Sequence, residues 1–208
     1  MLIGGIQRCS FSDYPGKVAA VLFTQGCNFR CPFCHNGTLL SKNGDNTLEE
    51  QEVFDFLKLR KGKLHGVVIT GGEPTEHDDL PQFIRKIREL GFVIKLDTNG
   101  SHPEMIELLL QEKLIDYFAM DIKAPFNKYN TLCGIDVDIQ AIRTTISIIG
   151  IGKIPHHFRT TYVKHLLTKS DFDELLLLIP PGSKHITQPF VQPIKCRDEN
   201  LKPIGNRY

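Results

Sequence analysis

The apolar positions of this chain fall into short unbroken runs separated by longer segments where they recur every third or fourth residue. Runs of roughly four to eight mark strands covered on both faces, and a recurrence of about 3.6 marks helices that bury one side. The first run, Val18 to Phe23, predicts a strand. Thr47 and Glu50 stand at capping-box spacing and predict a helix through about Arg60, and Gly66 to Thr70 predicts a short buried strand. Asp79, Pro81 and the series Phe83, Ile84, Ile87, Leu90 predict a helix closed by Gly91, followed by a strand from Phe92 to Leu96. Ser101, Pro103 and Glu104 open another helix, and Tyr117 to Ile122 reads as a strand. Asp138 precedes Ile139, Ile142, Ile146 and Ile149 at helical spacing with Gly150 as the stop, ahead of a strand from Phe158 to Val163. Ser170 and Asp173 cap a last helix ending at Pro180-Pro181, and Ile186 to Val191 is the sixth strand.

Six strands alternating with helices imply an α/β fold whose parallel strands are joined by right-handed crossovers. Too little chain follows Val191 for the two further units that would close an eight-fold barrel. The expected architecture is therefore an open, partial TIM-type (β/α)6 barrel forming one domain over residues 1–208, with a doubly wound sheet as the alternative. In either fold ligands bind beyond the C-terminal ends of the strands.

Composition narrows the function. With 208 residues, 41% hydrophobic and 24% charged, and a net charge of +1, the chain gives no electrostatic reason to expect nucleic acid or an anionic membrane as partner. The basic run Lys58, Arg60, Lys61, Lys63 reads as a solvated helix end. No stretch is long and apolar enough to span a membrane, and the first residues do not resemble a secretory leader, so a cytoplasmic address is expected. Thiols stay reduced there, and six cysteines then point to metal binding or catalysis before disulfides.

Three of the six, Cys27, Cys31 and Cys34, lie within Gly26-Cys-Asn-Phe-Arg-Cys-Pro-Phe-Cys-His35. A four-iron cluster usually takes four thiolates, so a local trio leaves one iron open to another ligand. Two rivals share the residues. Cys31-Pro-Phe-Cys34 has the spacing of a redox pair, and His35 could complete a zinc site, although ligands at adjacent positions rarely close one tetrahedron. Cys9, Cys133 and Cys196 have no ligand spacing and read as small buried hydrophobes. Gly71-Gly-Glu-Pro74, Asp97-Thr-Asn-Gly100 and Asp121-Ile-Lys123 each stand at the end of a predicted strand, so with the cysteine loop they should meet on one face.

The CxxxCxxC loop with Phe33 before its last cysteine resembles the signature of radical S-adenosylmethionine enzymes. Asp13-Tyr-Pro-Gly16, Phe23-Thr-Gln-Gly-Cys27 and Cys34-His-Asn36 are similar to the activating enzymes of glycyl radical enzymes. The match is closest to activators of anaerobic ribonucleotide reductase, with pyruvate formate-lyase activators next. The latter usually carry Gly-Pro-Gly where this chain has Tyr14-Pro15-Gly16, and no second cysteine-rich insertion follows Asn36.

The resemblance implies a [4Fe-4S] cluster on Cys27, Cys31 and Cys34, and S-adenosylmethionine bound to the open iron through its amine and carboxylate. The cofactor would be cleaved reductively to a 5′-deoxyadenosyl radical, which leaves a glycyl radical on a partner enzyme. A one-electron donor such as flavodoxin or ferredoxin is implied as well. Gly71 and Gly72 would bring backbone carbonyls to the ammonium, Glu73 would add negative charge, and Lys123 would meet the carboxylate. Asp97, Asn99 and Asp121 join the same pocket by resemblance, with Phe33 near the adenine. No side chain is singled out as catalytic, since cluster and cofactor carry the chemistry. His35, Asn36, Arg159, Gln188 and Gln192 are further candidates for that face without fixed roles. The remaining histidines show no metal spacing and read as surface or locally bonded residues. A 7-carboxy-7-deazaguanine synthase-like enzyme acting on a small molecule is the alternative within this chemistry, and a non-catalytic iron-sulfur electron carrier is the alternative outside it.

Overall fold

The computed structural model describes residues 1–44 and 47–191. Gln192 and Cys196 lie outside them. Seven strands form one sheet in the order of the chain: β1 (Ile3–Tyr14), β2 (Lys17–Thr24), β3 (Gly66–Gly71), β4 (Val93–Thr98), β5 (Tyr117–Asp121), β6 (His156–Tyr162) and β7 (Lys184–Pro189). From β2 to β7 every neighbouring pair is parallel. A doubly wound sheet reverses its strand order at a switch point, and this one never does, so the open six-unit barrel is the observed form.

One strand was not expected. β1 pairs antiparallel with β2, and Pro15-Gly16 joins them, with Gly16 at φ +70°. Proline at the first central position and a left-handed glycine at the second is the signature of a type II turn. Register shifts along β1 interrupt the alternation, which hides the strand from a reading by periodicity. Cys9 lies on it and is exposed, contrary to its expected burial, because β1 is an edge strand.

The helices are α1 (Glu50–Arg60), α2 (Leu80–Glu89), α3 (Pro103–Gln111), α4 (Tyr129–Cys133), α5 (Ile139–Ile151) and α6 (Lys169–Leu176). Several ends differ from expectation for local reasons. Leu48 donates its N–H to Ile3 O at 2.7 Å and so stays extended. The capping box of α1 is consequently Glu49 with Glu52, not Thr47 with Glu50. Ser101 is used by Asn99 and leaves the start of α3 to His102. Thr168 and Asp171 cap α6 reciprocally in place of Ser170 and Asp173, and the helix stops at Leu176, well before Pro180. Helix α5 runs through Gly150 to Ile151, with Gly152 taking the cap.

Alternation along the strands separates two faces. Leu22, Ile69, Leu96, Met120 and Phe158 pack with Val53, Phe83, Ile84, Ile106, Ile142 and Leu175 of the helices in the main core. Burying each such side chain contributes about 1.5–3 kcal/mol before entropy is counted. On the other face Tyr14, Ala19, Val21 and Val68 form a small apolar floor. Above it the strand ends turn polar.

Candidate functional site

The cysteine loop leaves β2 directly. Gly26 N donates to Leu39 O at 2.7 Å, and Glu73 N donates to Gly26 O at 2.9 Å, so the loop is anchored to the turn after β3. A Cβ on Gly71 would overlap the Thr24 backbone, and one on Gly72 would overlap the Gly26 carbonyl oxygen. These two glycines are therefore needed for close approach of two backbones. Asn36 Nδ2 donates to Gly71 O at 3.0 Å and ties the far side of the loop to the same turn.

A cavity of about 320 Å³ opens where these loops meet, near the lower end of the roughly 300–1,000 Å³ usual for small-molecule sites. Its wall includes Cys27, Cys31, Cys34 and Phe33 from the loop, Gly71 and Gly72 at the end of β3, and Asp97 and Asn99 at the end of β4. Asp121 at the end of β5 and Lys123 just after it, with Arg159 from β6 and Gln188 from β7, complete the charged and polar side. Four of the clusters read from the sequence are thus brought to one face by the parallel strands.

Glu73 is the exception. It is 1% exposed and not among the lining residues. Its carboxylate accepts from Thr75 N at 3.1 Å, Thr75 Oγ1 at 2.5 Å, Thr98 Oγ1 at 2.8 Å and Asn99 N at 2.7 Å. Burial pushes its pKa above the ordinary carboxylate range, and these donors offset that only in part. The carboxylate splices the β3 turn to the β4 turn.

The charges form a chain across the sheet. Lys95 pairs with Asp97, Arg159 reaches Asp97 at 3.4 Å and Asp121 at 2.6 Å, and Lys123 pairs with Asp121 at 2.8 Å. Burial would raise Asp121, but Arg159 and Lys123 outweigh it and hold the carboxyl well below its usual range. Burial likewise would lower Lys123, and Asp121 reverses the sign and keeps it charged. Three cations face two carboxylates in this chain, so it suits a ligand bearing a carboxylate. Lys95, 2% exposed, escaped the sequence reading; a lysine inside the apolar run Phe92 to Leu96 was its signal.

The three thiols share the cavity wall without closing on one atom. Among the described residues no three His, Cys, Asp or Glu side chains converge as a single-ion site. His35 Nε2 lies 2.8 Å from Val191 O and its ring rests against Phe190, so its side chain is engaged at the end of β7. A zinc tetrahedron is thereby disfavoured, whereas a multi-iron cluster takes thiolates at separate irons and fits the donor set. Burial, and next the nearby Glu73 charge, pushes the Cys27 thiol up to about 12, so the unligated form is neutral. Cys133 is fully buried as expected, but its carbonyl accepts from Arg30 N at 2.7 Å and its thiol interacts with Cys31, which its sequence position did not announce.

A parallel half-barrel that gathers thiols and fixed charges around one cavity at its strand ends defines a cofactor-using α/β barrel enzyme. The family model described as Radical SAM superfamily matches residues 21–179. The chain belongs to the radical S-adenosylmethionine superfamily, and it uses that family's [4Fe-4S] cluster and S-adenosylmethionine. It is 37% identical, over 98% of its own length and 85% of the other's, to a protein of Methanocaldococcus jannaschii provisionally named as a glycyl-radical enzyme activating enzyme. A protein of Saccharolobus solfataricus provisionally named GTP 3′,8-cyclase is 29% identical over 65% of this chain and 44% of that one. Among solved structures, Streptococcus suis SuiB bound to S-adenosylmethionine superposes with a TM-score of 0.63 at 18% identity, over 88% of this chain and 42% of SuiB. That likeness concerns the fold. Among the described residues no helix is long and apolar enough to cross a membrane.

Proposed function

We propose that the chain, acting as a single domain over residues 1–208, activates a glycyl radical enzyme, with anaerobic ribonucleotide reductase as the partner. Cys27, Cys31 and Cys34 hold the cluster, and the cavity beside them takes S-adenosylmethionine. When bound, these groups would supply a one-electron reductive cleavage of S-adenosylmethionine and with it the means to remove a hydrogen atom from a glycine α-carbon of the partner.

The chain's own residues place the cofactor. Lys123, held charged by Asp121, meets its carboxylate, and Arg159 keeps Asp121 ionised. Gly71 and Gly72 bring backbone to the cysteine loop, so their carbonyls can accept from the ammonium. Glu73 shapes this pocket from behind by fixing the β3 and β4 turns. Phe33, 3% exposed, offers a flat apolar wall to the adenine. A flavodoxin or ferredoxin would deliver the electron.

The observation carrying the reading is that the three thiols and the carboxylate-seeking charge chain line one cavity. Similarity to the Methanocaldococcus jannaschii protein along nearly the whole chain supports a protein substrate. The test is anaerobic reconstitution with iron and sulfide, reduction, and addition of S-adenosylmethionine with ribonucleotide reductase. We expect 5′-deoxyadenosine together with a glycyl radical seen by electron paramagnetic resonance. A loaded cluster that yields no 5′-deoxyadenosine would refute the cleavage, and deoxyadenosine without a radical on the reductase would refute the partner.

A further inference from the structure

Helix α4 brings a fourth cysteine, Cys133, against the cluster loop. Arg30, the residue before Cys31, donates its N–H to the Cys133 carbonyl at 2.7 Å. Gly134 follows at φ +66°, so close to the loop that a Cβ there would overlap the Arg30 carbonyl oxygen. With the backbones joined there, the two side chains are close enough for each thiol to influence the other. Their access to solvent differs: Cys31 lines the cavity, whereas Cys133 is 0% exposed and does not. A small oxidant arriving through the cavity meets Cys31 first, with Cys133 waiting behind it.

We propose that Cys133 is a resolving thiol for Cys31, capturing its oxidised sulfur as a Cys31–Cys133 disulfide once the cluster has been lost. The proposal rests on the reading of Cys31 as a cluster ligand. Hydrogen peroxide takes two electrons from the Cys31 sulfur, giving a sulfenic acid and one water. The Cys133 sulfur then attacks, the sulfur–oxygen bond breaks, the sulfur–sulfur bond forms, and the hydroxyl leaves with the Cys133 proton as a second water. A dithiol reductant later returns two electrons and two protons, restoring both thiols. Without Cys133, a second peroxide carries Cys31 on to the sulfinic acid, which thiols do not reverse. The pair thus preserves the ligand set for a new cluster.

The cluster-loaded full chain is treated with hydrogen peroxide until its visible absorbance is gone, alkylated, digested and analysed by mass spectrometry. The expected product is the Cys31–Cys133 cross-linked peptide, and after dithiothreitol the chain takes up iron again to near its starting content. Cys133→Ser and Cys133→Ala should take up the same iron before peroxide and, after it, recover roughly threefold less, with a sulfinate mass on Cys31. Cross-links from Cys31 to Cys27 or Cys34 instead would overturn the proposal, as would variants that recover iron like the parent. Variants that keep the parent's circular dichroism yet take up no iron before oxidation would make Cys133 a ligand and overturn it equally. Full iron uptake by Cys31→Ala would instead defeat the ligand reading on which the proposal depends.

Discussion

Arg159 Nε donates to Asp121 Oδ1 at 2.6 Å, and the two residues are direct register partners on β6 and β5. Parallel pairing thus puts both on one face. Lys123, two residues past the strand end, takes the other carboxylate oxygen at 2.8 Å. Asp121→Asn leaves two half-buried cations around a neutral amide, and Lys123 loses the partner that fixes its position. We expect at least about a tenfold rise in the dissociation constant for S-adenosylmethionine, read by equilibrium dialysis on the cluster-loaded protein. Cofactor affinity unchanged in both Asp121→Asn and Lys123→Ala would remove this chain from the site.

Acid should loosen the fold through His157. The ring is 5% exposed, and Tyr117 Oη lies 3.0 Å from its Nδ1. Burial, then the charges of Lys95 and Arg159, depress its pKa from the ordinary 6.5 to about 4, against the weaker opposite pull of Asp97 and Asp121. Between those values the unfolded chain binds the proton and the folded chain does not. The stability is therefore complete above about pH 6.5 and is lost as pH falls toward about 4, by on the order of 3 kcal/mol. Urea midpoints followed by circular dichroism should show this slope in the parent and a flatter one in His157→Gln. Equal slopes would mean the ring is not the group responsible.

Glu73 separates support from contact. All its partners are donors, so a carboxylate satisfies them and an amide does not. Glu73→Gln turns an NH2 toward a backbone or hydroxyl donor inside the protein and should cost about 2–4 kcal/mol of stability by urea unfolding. Replacement at no cost would return Glu73 to the cavity side.

The parallel part of the fold was legible because its strands are short apolar runs with turn residues between them, and the polar clusters at Gly71, Asp97 and Asp121 each followed such a run. β1 was not legible. Its residues carry polar side chains at Gln7, Arg8 and Ser10 and its register slips, so no periodicity survives. The α1 cap was misplaced because the Ile3–Leu48 bridge, a contact across the chain, decides where the helix begins. The meeting of Cys31 with Cys133 is equally tertiary: more than a hundred positions of chain separate the two. Motifs reveal what is local in a site, and support from a distant segment appears only in the fold.

The ligand set gives the last prediction. Cys27 and Cys31 are buried beside Cys34 on one cavity wall, and Cys9 stands exposed on the edge strand. If the trio binds the cluster, Ala at Cys27, Cys31 or Cys34 removes one of the three thiolates that hold it, and an alanine side chain is no ligand. Each variant should retain less than about a tenth of the parent's iron after anaerobic reconstitution, whereas Cys9→Ala should retain all of it. Circular dichroism separates ligand loss from misfolding, since replacing a sulfhydryl by hydrogen in this loop costs only about 1–2 kcal/mol of packing. A folded single variant with full iron content would show that its cysteine is no ligand, and iron loss from Cys9→Ala would place the cluster elsewhere.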